Sequence, residues 1–132
     1  MYDIAIIGCG VIGAAAAFEL SKYQVNIAVL EKENDVALGA SRANSAIIHA
    51  GYDPAPGTLM ARLNVQGCAM AEKLCKDLSV PYKKIGSLVL AFSESEMETV
   101  KKLFQRGTEN GVPDMRILSK EEVLQMEPEV SK

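Results

Sequence analysis

At 132 residues, 48% hydrophobic and 23% charged, the chain has the length of one domain with a buried core and is too apolar for a disordered tail. A net charge of −3 without a dense Lys/Arg block leaves no electrostatic footprint for nucleic acid or an anionic membrane, so small-molecule chemistry is favoured and no nucleic-acid partner is expected. No apolar run reaches the roughly 20 residues that spanning a bilayer requires. The cysteines Cys9, Cys68 and Cys75 are an odd set without metal-ligand spacing, and no secretory leader precedes the first apolar run, which leads us to expect no metal site and a reducing, cytoplasmic compartment.

Residues 2–7, YDIAII, form a short apolar run rich in isoleucine, predicted as a buried parallel strand ending at Gly8. Beyond the glycines, Ile12, Ala16 and Leu20 recur at helical spacing and predict a helix closing near Lys22 or Tyr23. Residues 25–30, VNIAVL, read as a second strand, so a complete βαβ unit is expected at the start of the chain. From Glu31 to Gly57 the composition turns to Gly, Ala, Ser, Asn and Pro, a long loop of the kind that usually serves function.

A helix is predicted over 57–77, with Leu59, Leu63, Met70 and Leu74 as its buried stripe and Cys68 and Cys75 as small core residues on a common face. Gly86 to Phe92 reads as a strand with Tyr82 to Ile85 as its partner. Ser93 with Glu96 is a capping-box signature ahead of a helix bearing Met97, Val100, Leu103 and Phe104, which Asn110-Gly111 can close. Ser119 with Glu122 opens a last short helix carrying Val123, Leu124 and Met126 before Pro128.

The chemistry concentrates in "GCGVIG", residues 8–13, which satisfies G-x-G-x-x-G in the context that makes the pattern informative, after a strand and at the opening of a helix. Gly8 permits the tight turn, Gly10 lets the backbone approach a pyrophosphate, and Gly13 allows close helix-to-strand packing. The amides of Val11 and Ile12 begin the helix, where unpaired N–H groups and partial positive charge face an anion. Glu31 closes the second strand 21 residues after Gly10, in position to accept hydrogen bonds from an adenosine ribose, with Lys32 beside it. A carboxylate there disfavours a 2′-phosphate. These features specify a dinucleotide and leave FAD and NAD open.

"GASRANSAIIHAGYDPAPGTLMARLNVQG", residues 39–67, resembles the FAD-dependent glycerol-3-phosphate dehydrogenases and oxidases and the related L-2-hydroxyglutarate oxidases, within the D-amino-acid-oxidase-like flavoproteins. "IGSLVLAF" and "LSKEEVLQMEPEV" are similar to later parts of the same proteins, so the resemblance spans essentially the whole chain. It implies FAD as cofactor, with the glycine turn on its ADP half and the segment Ala40 to Ser45 running beside the pyrophosphate, which nominates Ser41, Asn44 and Ser45. Many members carry Gly at the position of Ala46. The resemblance also places His49, the only histidine, on the substrate side of the flavin. An imidazole there could accept the hydroxyl proton of a secondary alcohol while the carbon-bound hydride leaves. Arg42 and Arg62 could pair with phosphate or carboxylate; solvated or structural positions are expected for both.

The expected fold is α/β, a Rossmann-like FAD-binding βαβ start over residues 1–56, a long helix over 57–80, and the opening of an α+β substrate domain over 81–132. Two sheet strands fall short of a complete flavin site, so the chain reads as an N-terminal fragment, inactive alone, whose partners are a small-molecule substrate and the remainder of the parent polypeptide. The parent is expected to oxidise glycerol 3-phosphate, or alternatively L-2-hydroxyglutarate. A non-catalytic dinucleotide-binding fragment and an NAD-dependent dehydrogenase are the competing readings.

Overall fold

The computed structural model describes residues 1–130 and orders them as β1 (Ile4–Ile7), α1 (Val11–Leu20), β2 (Ile27–Leu30), α2 (Leu59–Asp77), α3 (Glu94–Glu109) and α4 (Lys120–Met126). They divide into two compact units, one from Met1 to Ile47 and one from Ile48 onward.

In the first unit β1 and β2 pair in parallel, with Ile4 opposite Ile27 and Ile7 opposite Leu30. Asp3 sets this register at one end, its carboxylate accepting from the Asn26 amide at 2.8 Å while its own amide donates to the Asn26 carbonyl at 2.9 Å. At the other end the Gly8 amide donates to the Leu30 carbonyl at 2.7 Å, so the ladder runs directly into the glycine turn. Helix α1 is the crossover between the strands and packs on both, as a parallel pair requires. The α/β expectation therefore holds, with strands a little shorter than the apolar runs that announce them.

In the second unit α2 begins at Thr58, whose hydroxyl accepts from the Ala61 amide. Its buried face is not the predicted stripe. Ala61 and Ala71 are buried and Asn64, Val65, Cys68, Leu74 and Cys75 half-buried, whereas Leu59, Leu63 and Met70 are exposed. Small side chains allow close approach on that face, so Leu74, Cys68 and Cys75 lie where expected and the larger residues one step round the helix do not.

Helix α3 follows its periodicity, with Met97, Val100, Leu103 and Phe104 half-buried. Ser93 Oγ accepts from the Glu96 amide, while the Glu96 carboxylate reaches one residue further back and accepts from Phe92 at 2.7 Å. The helix closes at Asn110-Gly111, where the Val112 amide donates to Gly107 O and the Gly111 amide to Thr108 O, a Schellman end with Gly111 at φ +79°. Helix α4 carries the complete Ser119–Glu122 capping box.

The strands predicted over 82–85 and 86–92 do not form. Residues 80–91 contain no regular element, and Ile85, Leu88, Val89, Leu90 and Phe92 are exposed. A strand exists through its ladder, and among the described residues these have no partner.

Candidate functional site

The glycine turn is built by a conflict between side-chain volume and proximity. Gly8 has φ +94°, the left-handed region that L side chains avoid. At Gly13 a Cβ would fall on the Gly8 carbonyl oxygen and stand 3.1 Å from its carbonyl carbon and 3.3 Å from Ile6 Cγ2. The first turn of α1 is thereby pressed onto the end of β1, which aims its leading amides out of the carboxyl edge of the sheet. Gly10 is the helix N-cap and contributes no side-chain acceptor. Ser41 supplies one from the long loop, its hydroxyl accepting from the Val11 amide at 2.9 Å. Val11 and Ile12 are both exposed at this opening.

Glu31 ties the end of β2 to the same turn. Its Oε2 accepts from the Cys9 amide at 2.7 Å, and its Oε1 accepts from the amides of Lys32 at 2.8 Å and Glu33 at 3.1 Å. These bonds, the one from Cys9 foremost, hold the carboxyl below the usual glutamate range. A carboxylate offers about four acceptor positions, so three are engaged and one remains for a ligand hydroxyl. The Ala37 amide also bonds the Cys9 carbonyl, at 3.0 Å, fastening the loop after β2 to the turn.

The other nominated residues are placed differently. Lys32 points to solvent, with an ion pair to Glu33 at 3.3 Å. Asn44 serves its own loop, donating to Ser41 O at 2.8 Å and accepting from the Ala46 amide at 2.8 Å. That Asx turn accompanies Ala46 at φ +55°, a left-handed alanine. Ser45 is exposed, and so are Arg42 and Arg62. His49 is exposed and belongs to the second unit, two residues ahead of buried Gly51.

Arg106 and Gly107, which the sequence pattern did not single out, and Asn110, read only as closing α3, define the surroundings of that segment. Asn110 donates to the carbonyls of Gly51 and Pro54, both at 2.9 Å, and Arg106 donates to the Asp53 carbonyl at 2.5 Å. Gly107, between them on α3, is buried against Tyr52. A glycine inside an otherwise helical pattern, which costs about 1 kcal/mol relative to alanine, was the available signal.

Comparison with known proteins agrees with the geometry of the turn. The profile of the family described as FAD dependent oxidoreductase (DAO) matches residues 3–132. The chain is 58% identical over 131 residues to a glycerol 3-phosphate dehydrogenase of Caloramator mitchellensis, covering 99% of this chain and 27% of that protein. It is 36% identical over 129 residues to the human mitochondrial L-2-hydroxyglutarate dehydrogenase, covering 96% of this chain and 28% of that one. Among solved structures it is similar to the dithionite-reduced L-alpha-glycerophosphate oxidase of Mycoplasma pneumoniae with FAD bound, at TM-score 0.87 and 41% identity over 96% of this chain and 34% of that chain. The chain thus spans about a quarter to a third of the length of these relatives. With a match over nearly its whole length and a glycine turn shaped for a dinucleotide, the chain belongs to the family of FAD-dependent oxidoreductases.

Proposed function

We propose that this chain forms the ADP-holding part of the FAD site in a flavoenzyme that oxidises a secondary alcohol, glycerol 3-phosphate first. The observation that carries the reading is the glycine turn closed by Glu31, in a chain 58% identical to a glycerol 3-phosphate dehydrogenase. The residues fit the cofactor: the absent side chain at Gly13 lets α1 start against β1, and Glu31 keeps one acceptor position for a ribose hydroxyl. Gly8, Gly10, Gly13 and the Ile12 amide would hold the pyrophosphate, and the Val11 amide would join them as a phosphate oxygen takes the place of the Ser41 hydroxyl that accepts from it, leaving Ser41 to donate to the cofactor. Lys32 and Ser45 complete the cofactor-contacting set, and Asn44 supports it through the turn it maintains.

When bound, FAD supplies the acceptor for the hydride of the alcohol carbon. His49 is the proposed catalytic base, taking the hydroxyl proton at an imidazole nitrogen as the carbonyl forms. The activity belongs to the longer parent polypeptide, and this chain alone does not turn over. We place it in the cytoplasm on its free cysteines Cys9, Cys68 and Cys75; among the described residues no helix is long and apolar enough to cross a membrane. The likeness to L-2-hydroxyglutarate dehydrogenases supports that acid as the second substrate.

The test is stopped-flow reduction of the full-length protein by each substrate, following the flavin absorbance. Glycerol 3-phosphate should reduce it fastest, and His49→Ala should slow that reduction by about 10² to 10⁴ while leaving FAD bound, the range for a positioned base. A colourless purified protein would overturn the flavin assignment. Wild-type reduction by the His49→Ala variant would overturn the base.

A further inference from the structure

The segment that carries His49 runs into four residues whose backbone is tied to α3. Of the carbonyls of Gly51, Tyr52, Asp53 and Pro54, three accept from side chains at the end of α3: Gly51 and Pro54 from the two protons of the amide of Asn110, its C-cap, and Asp53 from Arg106 Nη1. The Arg106 guanidinium also stands 3.9 Å from Asp53 Oδ1. Arg106 and Asn110 are four residues apart, so they project from one face of the helix. Gly107 shares this region and lets α3 approach Tyr52, because a Cβ there would stand 2.8 Å from Tyr52 Cβ and 2.7 Å from Met115 Cε. Val65 of α2 also closes on Gly51, where a Cβ would meet Val65 Cγ2 at 2.7 Å. Residues from two helices therefore contact the turn.

From this we infer that Arg106, Gly107 and Asn110 form a clamp of positioning residues that holds the turn at 51–54 and, through it, the placement of His49. The inference rests on the proposed role of His49. The chemistry of the clamp is specific. Asn110 uses both amide protons on two carbonyls separated by three residues, a task that neither an aspartate, which has no donor, nor an alanine can perform. Misplacing a base by about 1 Å can cost on the order of 10²-fold in rate, so a clamp two residues from the base acts on turnover without touching substrate.

The experiment compares wild type, Asn110→Ala and the isosteric Asn110→Asp in the full-length flavoprotein, each checked by thermal melting. Cleavage by chymotrypsin after Tyr52, half-buried in the clamped turn and read by mass spectrometry, should accelerate about 10-fold or more in both variants, as expected for a segment that opens locally once two carbonyl anchors are lost, while cleavage in α1 stays unchanged. The limiting rate of flavin reduction by glycerol 3-phosphate should fall about 10- to 100-fold with half-saturation within about 2-fold of wild type, a loss in kcat rather than KM. Should either variant fail to fold, Arg106→Met gives the same readouts through the Asp53 carbonyl. Unchanged cleavage after Tyr52 overturns the clamp. Faster cleavage with a wild-type reduction rate, in a protein that His49→Ala does slow, overturns the positioning role. If His49→Ala reduces at the wild-type rate, the reading of His49 has failed and the cleavage measurement alone decides the clamp.

Discussion

The apolar runs at 4–7 and 27–30 in one region and the stretch at 80–92 in another share strand-forming composition, yet the former are strands of a βαβ unit and the latter has no regular element before α3. In the first, every local preference finds its partner within the same unit: β1 has β2 in register, the turn has Gly8 at φ +94°, and the turn amide of Cys9 has Glu31. In the second, Leu88, Val89 and Leu90 alternate with nothing, since among the described residues no strand lies beside them. The contrast separates two kinds of sequence signal. A motif that names its own partners determines structure locally, whereas strand propensity states an environment that something else must provide.

The strongest way to break the first region is to fill its tightest contact. Gly13→Val puts a branched side chain onto the Gly8 carbonyl and should destabilise the chain by about 3 kcal/mol or more, by overpacking against backbone that cannot yield. Urea unfolding of the chain would check this, and the same variant in the full-length protein should purify without FAD. A Gly13→Val protein with wild-type stability would mean that the turn is looser than its geometry.

Acid probes the same region through charge. The Glu31 pKa is depressed in the folded state, principally by the Cys9 amide, so its contribution is fully present above the ordinary glutamate pKa and is lost as pH falls through the lower folded value. Glu31→Gln should therefore be less stable than wild type at neutral pH and approach it in acid. In apoprotein titrations at neutral pH it should also bind FAD about 10-fold more weakly, the order expected for a hydrogen bond to a charged group. Parallel stability profiles for the two proteins across pH 2 to 7 would separate Glu31 from the turn.

The remaining variants sharpen the second region. Helix α2 ends in a Schellman arrangement with Ser79 at φ +56° and the Val80 amide on Cys75 O at 2.8 Å, just ahead of the unpaired stretch. Ser79→Gly should stabilise the chain by about 1 kcal/mol, since glycine relieves a left-handed Cβ, and a thermal melt would register it. Leu90→Ser should move stability by less than about 0.5 kcal/mol, because the side chain is already exposed. A larger loss would show that residues 86–92 pack as a strand in solution.

The sequence made the βαβ start legible because strand, glycines and acid lie within 31 residues and each constrains the next. The caps of α3 and α4 were legible for the same reason, Ser93 and Ser119 each bonding three residues ahead. The buried face of α2 was not. Hydrophobicity selects Leu59, Leu63 and Met70, but the site requires close approach, which selects Ala61, Val65, Cys68 and Ala71. The partners of the His49 segment were hidden because Arg106 looks like a solvated residue on a polar helix face and Asn110 like an ordinary helix end. Only their bonds to carbonyls more than 50 residues away distinguish them.

The four-residue interval between Arg106 and Asn110 also bears on which changes of length the chain can absorb. A helix turns by about 100° per residue, so one residue inserted between them swings one donor off the 51–54 carbonyls while leaving every side chain chemically intact. The same insertion within residues 80–91 lengthens a stretch with no phase to lose. Tolerance to insertion and deletion is thus distributed by rotation rather than by exposure: the turn and α3 must be counted in residues, and the connection before them need only reach.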